Sequence, residues 1–400
     1  MFATRVMSAP PSLFEIFLTA LRLGGTSFGG PVAHLGYFRK EYVERRHWLD
    51  DAHYADLVAL CQFLPGPASS QVGFGIGFLQ RGVAGGLAAW LGFTLPSAAL
   101  MIAFAYGVTA LGALGAAGWL AGLKAAAVAV VAQAVWSMAG SLCPDRPRAT
   151  LALGAAVVLL LVPSAWSQVG VIALGGALGW WWFRGGGNGG EDPAPVTADR
   201  RAGVLWLAAF LVLLAGLPLL AGATHNGWVM IFDRFYRTGS LVFGGGHVIL
   251  PLLEREVVAP GWLTHDQFLA GYGAAQALPG PLFTLCGYLG ALANVGPGGW
   301  LGGGWALAAI FAPSVMLVTG ALPFWQTLRR RPGAQAALCG ANATVVGVLL
   351  AALYNPVWTA GVTGTRSAAL AFTAFAALQV WKVPPWALVI AAAILGQAFL

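Results

Sequence analysis

Apolar residues run through this chain in long blocks, and polar residues collect between them. The blocks fall at about 13–33, 55–79, 84–113, 117–141, 149–163, 167–183, 203–222, 228–250, 267–291, 298–322, 335–355, 367–381 and 385–400. Crossing a bilayer takes about 20 apolar residues in a helix. The pattern therefore predicts an all-α integral membrane protein, a polytopic helical bundle of up to 13 segments. The blocks at 149–163 and 167–183 are short, so they are half-helices or extend into their flanks. The most polar stretch, 184–201, is rich in Gly and predicts a flexible linker.

The order of motifs repeats. Arg22-x-Gly24-x-x-x-Phe28-Gly29-Gly30 recurs as Arg237-x-Gly239-x-x-x-Phe243-Gly244-Gly245, and Glu41 matches Glu256 at the same shift of 215. Gln62-x-x-Pro65-Gly66-Pro67 recurs as Gln276-x-x-Pro279-Gly280-Pro281 at a shift of 214. Pro96-Ser97 then matches Pro313-Ser314, and Gly122-Leu-Lys124 matches Gly340-Ala-Asn342. An ordered series with small gaps indicates duplication. The expected organisation is a first repeat at 1–183, the linker, an extra transmembrane helix at 202–227, and a second repeat at 228–400. If all segments cross, seven crossings separate the repeat starts, which predicts inverted halves with broken helices, an arrangement found in secondary transporters.

Charge orients the chain. With the N-terminus inside, twelve basic residues fall in cytoplasmic loops and five outside, favouring that orientation. The loop holding Arg39, Lys40, Arg45 and Arg46 opposes the rule. It would be an amphipathic surface segment, or else 13–33 and 228–250 re-enter without crossing, leaving 11 crossings.

Composition narrows the class. The 400 residues are 58% hydrophobic and only 9% charged, against about a quarter charged in soluble domains. Much apolar surface must then face lipid. The 56 glycines fit close helix packing and helix breaks. The net charge of +7 is scattered, which argues against nucleic acid as a partner. Cys61, Cys143, Cys286 and Cys339 form no C-x-x-C pair and are expected to be packing residues. The histidines show no ligand spacing, so neither a metal nor a cofactor is expected. The first apolar run contains Glu15 and Arg22 and is not expected to be a cleaved signal.

The candidate chemistry is anion binding. Each Pro-Gly-Pro stops a helix inside an apolar run, so a new helix should start after it with free N–H groups. Those groups belong to Ala68, Ser69 and Ser70 in the first half and to Leu282, Phe283 and Thr284 in the second. Such helix starts attract anions, and Ser69, Ser70 and Thr284 add hydroxyls. Gln62 and Gln276 lie just upstream. Gly29-Gly30-Pro31 and Gly244-Gly245-Gly246-His247 permit backbone turns that expose further N–H groups. Arg22 and Arg237 are intramembrane cations, and Lys124 is a third, one-sided candidate because its repeat mate is Asn342. Glu41, Asp56 and Glu256 are candidates for a coupling proton. A packing role for the kinks and interfacial snorkelling of the arginines are the competing readings. Gly25-Thr26-Ser27-Phe28-Gly29 spells G-x-S-x-G, but a nucleophile elbow needs a strand-to-helix turn. No enzyme is expected.

These residues resemble a known family. Phe28-Gly29-Gly30-Pro31 with His34, Trp48-Leu49, Tyr54-Ala55-Asp56 and Gln62 to Pro67 are similar to the first half of the chromate ion transporters. Phe243 to His247 with Pro251, Gly261-Trp262-Leu263 and Gln276 to Pro281 are similar to the second half, in the long two-domain form. The resemblance implies chromate export across the bacterial inner membrane, driven by the membrane potential or a proton gradient. The alternative is a carrier for uptake or exchange of sulfate or a related oxyanion. The implied partners are chromate, sulfate as a competitor and the lipid bilayer; a homodimer is left open.

Overall fold

The computed structural model describes residues 10–110, 118–162, 165–183, 199–242, 249–325, 327 and 331–400. Among these, all regular elements are helical. The first half contains α1 (Leu13–Thr26), α2 (Gly30–Phe38, continued as a π-helical turn Arg39–Arg45), α3 (Asp51–Phe63) and α4 (Ala68–Ala110). Arg81 and Gly82 leave helical geometry inside α4, dividing it into arms 68–80 and 83–110. Then come α5 (Gly118–Leu142), α6 (Arg146–Leu161) and α7 (Ala165–Trp182). The helix α8 (Arg200–Thr224) follows. The second half has α9 (Gly227–Leu241), α10 (Ile249–Val257), α11 (His265–Ala277), a 3-10 turn (Leu282–Thr284) and α12 (Leu285–Leu292). It ends with α13 (Gly299–Ala321), α14 (Pro332–Ala352), α15 (Thr365–Gln379) and α16 (Pro385–Phe399).

Four of the apolar blocks are not single spans. The helix α1 ends at Thr26. The chain then returns. Glu15 pairs with Arg46 at 2.7 Å, and Arg22 pairs with Glu41, so α1 and α2 form a helical hairpin. The next hairpin joins α3 to the first arm of α4. A Cβ on Gly75 would lie 2.7 Å from Leu57, and Gln80 Nε2 donates to the Trp48 carbonyl at 2.8 Å. The second half repeats this. Arg237 reaches Glu256 at 3.4 Å across α9 and α10. Tyr288 donates to the Gln267 carbonyl at 2.8 Å across α11 and α12. Blocks 13–33, 55–79, 228–250 and 267–291 therefore fold back. The expectation of 13 crossings is corrected, and so is the 11-crossing version, in which only 13–33 and 228–250 re-enter. An apolar run permits either a span or a hairpin; the ion pairs between its ends decide.

The hairpin bases of each half lie together. In the first, Arg81 donates to the Pro11 carbonyl at 2.9 Å. In the second, Asn294 donates to the Gly261 carbonyl at 3.0 Å, and Trp305 to the Trp228 carbonyl at 2.9 Å. The bases carry the side-chain caps Ser12, Asp50, Asn226 and Thr264, polar groups that suit a water interface. The second arm of α4 starts at the first base and rises about 35 Å by Tyr106. There the Tyr106 hydroxyl accepts from the Trp300 N–H at 3.1 Å, at the second base. The two sets of hairpins thus enter from opposite ends and point toward each other.

The remaining helices surround this centre and exchange partners. α5 packs on α15 and α16 of the other half, and α14 packs on α6 and α7. Small residues allow these crossings, as where Gly122 meets Ala392 and Gly340 meets Gly179. Among the described helices, five runs are long and apolar enough to cross a membrane. On α8, Leu205, Val212 and Leu219 are 69–75% exposed, an apolar face suited to lipid. Cys61 and Cys286 are buried and all four cysteines are free, consistent with packing roles.

Candidate functional site

The hairpin tips meet reciprocally. The Gly66 N–H donates to the Val242 carbonyl at 2.7 Å, and the Gly280 N–H donates to the Ser27 carbonyl at 2.9 Å. Ser27 and Val242 are repeat mates, as are Gly66 and Gly280. Each Pro-Gly-Pro of one half thus seats against the end of the first hairpin helix of the other. Each also meets the partner half's Pro-Ser: a Cβ on Gly66 would lie 2.8 Å from Ser314 Oγ, and one on Gly280 2.8 Å from Ser97 Oγ. Positive φ at Gly66 (121°) and Gly280 (93°) makes glycine the fitting residue at both tips.

Both breaks leave open donors. After Pro65-Gly66-Pro67 the first i to i−4 bond runs from the Gln71 N–H to the Pro67 carbonyl at 2.9 Å. The N–H groups of Ala68, Ser69 and Ser70 precede it, as expected. The second break differs from expectation. A 3-10 turn follows Pro279-Gly280-Pro281, and both the N–H and the hydroxyl of Thr284 bond the Pro281 carbonyl, at 3.0 and 2.8 Å. Thr284 is thereby removed from the free donors. Gly29 and Gly30 have positive φ of 100° and 77°, the turn expected of them, and α2 starts with no side-chain cap. Gly244, Gly245 and His247 lie outside the described residues.

The other candidates are spread out. Gln62 is exposed, whereas Gln276 is partly buried with its Nε2 unpaired. Asp56 accepts from Trp325 Nε1 at 2.8 Å, joining α3 to the end of α13. Lys124 pairs with Asp266 at 2.9 Å. Arg22 and Arg237 do not converge with the Pro-Gly-Pro tips in any described contact. Each instead pairs with the carboxylate expected to carry a proton, Glu41 or Glu256. Arg237 also forks onto Asp233 at 3.1 and 2.9 Å, and Arg46 holds Glu41 at 2.7 Å. Arg22, Tyr37, Lys40, Glu41 and Arg45 line an open cleft of about 480 Å³.

The two carboxylates differ in environment. Burial would raise the Glu41 carboxyl, but Arg46, Arg22 and Arg45 outweigh it and hold it below the ordinary value. For Glu256, burial prevails over the attraction of Arg237 and Arg234, so its carboxyl sits above the ordinary value.

Buried polar groups lie around the tips, and of these sequence reasoning passed over Thr94 and Gln71. His34, 1% exposed, sits between the Ser27 carbonyl at 3.2 Å and Ser69 Oγ at 3.4 Å. The hydroxyls of Ser27, Ser70 and Thr94 and the Oε1 of Gln71 are buried without a hydrogen-bond partner. Ser97 and Ser314 were visible as repeat mates, and Asp233 stands one helical turn before Arg237. The G-x-S-x-G letters carry no catalytic geometry, since Ser27 ends a helix and its Oγ touches no base.

The chromate transporter family model matches residues 14–180 and 229–397. The chain belongs to the chromate transporter family. The family's two matched regions coincide with the two sets of hairpins and their following helices, so this chromate transporter family member is a multi-pass membrane protein of two repeats. It is 28% identical to the chromate transport protein of Pseudomonas aeruginosa over 402 residues, 95% of this chain and 90% of that one. It is 27% identical to the chromate transport protein of Cupriavidus metallidurans over 364 residues, 88% and 84% of the two chains. The uncharacterized transporter YwrA of Bacillus subtilis is 31% identical over 176 residues, 42% of this chain but 94% of its own. One repeat is thus close to the full length of that relative. No solved structure matches.

Proposed function

We propose that this protein exports chromate across the bacterial inner membrane through an oxyanion site where the hairpin tips meet, driven by the membrane potential or a proton gradient. The observation that carries the reading is the reciprocal seating of Gly66 on Val242 and Gly280 on Ser27. It brings a helix start with free N–H groups to the centre of the fold, about 20 Å from either end of its hairpin. Discontinuous helices with N-termini at mid-membrane are a recurring device for anion sites in secondary transporters. The arginines act at the margin: Arg22 lines a partly basic cleft beside the first hairpin, suited to attracting a dianion, while its pairing with Glu41 keeps it out of the centre. Chromate as the substrate follows the names of the relatives, which say chromate transport, and export is the direction proposed for it. Donors of this kind accept sulfate equally, because it shares chromate's charge and shape, so sulfate uptake is the reading to exclude.

Fold-back supports an inverted topology with the N-terminus inside. The second arm of α4, then α5, α6, α7 and α8, cross between the two hairpin sets, an odd number. With α13, α14, α15 and α16 crossing as well, the C-terminus lies outside. The four basic residues of 39–46 then move to the cytoplasmic side and Arg255 leaves it. The twelve-to-five tally becomes fifteen to two, and the loop that opposed the rule now obeys it. An inside-negative potential of 100 mV favours exit of a dianion by about 4.6 kcal/mol, so voltage alone can drive export. Expression in a chromate-sensitive bacterium tests the function: tolerance should rise and labelled chromate accumulation fall. Unchanged accumulation at verified membrane expression would remove the chromate assignment.

A further inference from the structure

The fold is symmetric at its centre, but its chemistry is not. Ser27, Ser70 and Thr94 present buried hydroxyls with no partner, and each residue is at most 4% exposed. Their repeat mates are Val242, Thr284 and Phe311. Val242 and Phe311 are apolar, and the Thr284 hydroxyl is consumed by the Pro281 carbonyl. His34 and Ser69 likewise face Ile249 and Phe283 as mates. At these repeat positions, among the described residues, the first half carries unpaired hydroxyls and the second half does not.

The hydrogen bonds say which donors are unspent. A carbonyl only accepts, so His34 Nε2, 3.2 Å from the Ser27 carbonyl, carries the proton. That carbonyl also accepts from the Gly280 N–H, which uses both of its lone pairs. His34 Nδ1 is then an acceptor, and the Ser69 hydroxyl donates to it at 3.4 Å. His34 thus fixes the tip of the first hairpin onto the start of α4 and takes Ser69 out of the donor set. What remains is the hydroxyls of Ser27, Ser70 and Thr94 and the free N–H groups of Ala68 to Ser70. A buried, unpaired hydroxyl is destabilising, and three of them in one half are explained by a ligand that accepts hydrogen bonds.

Resting on the oxyanion reading above, we propose that the protein holds one substrate anion per chain, in the first half only, on neutral donors. Ser27, Ser70, Thr94 and the first turn of α4 bind it, and His34 is a positioning residue. The pseudo-equivalent positions of Ser70 and Thr94, Thr284 and Phe311, form a structural plug. Neutral donors hold a dianion without a fixed counter-charge, which leaves it free to depart.

The test is equilibrium binding of radiolabelled chromate and sulfate to the purified full chain in detergent. Thr94→Val and Ser70→Ala should each weaken binding about tenfold or more, the loss of one hydrogen bond to a charged group. Thr94→Ser, which keeps the hydroxyl, should stay within about threefold of wild type, so lost packing is distinguished from lost donation. His34→Gln should weaken binding less than Thr94→Val. Thr284→Val and Phe311→Leu, on the plug side, should leave affinity unchanged, and the stoichiometry should be one. Equal losses from both sides, or two anions per chain, would overturn the one-sided site while leaving oxyanion transport standing. Failure of the wild-type chain to bind either anion would remove the transport reading and this site with it.

Discussion

Gly280→Leu isolates the tip contact from the rest of the fold. At φ 93° an L-residue is strained, by about 1–2 kcal/mol where the left-handed region is forced. The added Cβ would lie 2.8 Å from Ser97 Oγ and 3.2 Å from the Gly24 carbonyl. Neither backbone nor a fully buried serine yields easily, so overpacking adds about 1–3 kcal/mol. The whole is about 2–5 kcal/mol directed at one turn. Withdrawal of the tip is the cheapest response, because it breaks mainly the Gly280 to Ser27 hydrogen bond. The body of the hairpin survives, held by Tyr288 on Gln267 and the capping box at Thr264. Membrane expression should therefore remain while chromate export falls by at least tenfold. Cells carrying the variant should accumulate labelled chromate as the empty-vector strain does, with equal protein on an immunoblot of membranes. Wild-type export at wild-type expression would refute the reasoning, because the tip would then have no part in the path.

Gly66→Leu should act in the same way, since its Cβ would meet Gln71 Nε2 at 2.6 Å and Ser314 Oγ at 2.8 Å. Arg237→Gln strips the forked partner from the buried Asp233 and should lower the thermal midpoint and yield by a loss of about 1–3 kcal/mol. Arg22→Gln leaves Glu41 with Arg46 and Arg45, so stability should change by less than about 1 kcal/mol while the half-saturating chromate concentration rises. The Glu41 carboxyl is held below its ordinary value when folded, so its stabilisation is present above about pH 4.3 and lost as pH falls through the depressed value; Glu41→Gln should flatten the acid limb of a thermal-midpoint profile. Single cysteines at Asn188 and Leu400, in a cysteine-free background, should label from opposite faces of the membrane; labelling from one face would mean an even number of crossings.

The repeat carried most of what the sequence could say about architecture. Arg22 with Glu41 and Arg237 with Glu256 stand at one common shift, and the structure makes each pair an ion pair. Spacing along a chain does not reveal that residues 22 and 41 face each other across a hairpin. The same ambiguity hid the fold-back: an apolar run of 21 residues with a glycine-rich centre can span or return. The signal present in sequence was the basic loop at 39–46, whose wrong side under full crossing was a sign of the wrong crossing number. The Pro-Gly-Pro breaks were legible because two prolines admit no continuous helix. The one-sidedness of the centre was not, because it depends on which hydroxyls find acceptors. Thr284 looks like a donor until its bond to the Pro281 carbonyl is known.

Chromate flux in vesicles containing only the purified protein tests the central claim most directly. Under an imposed voltage with no pH gradient, and then the reverse, chromate should move from the face bearing the N-terminus to the opposite face. The flux should saturate, run uphill when the gradient is applied, be competed by sulfate, and vanish in Gly280→Leu. Flux that fails to saturate, moves only downhill, or persists unchanged in Gly280→Leu would contradict a carrier whose oxyanion site lies where the hairpin tips meet.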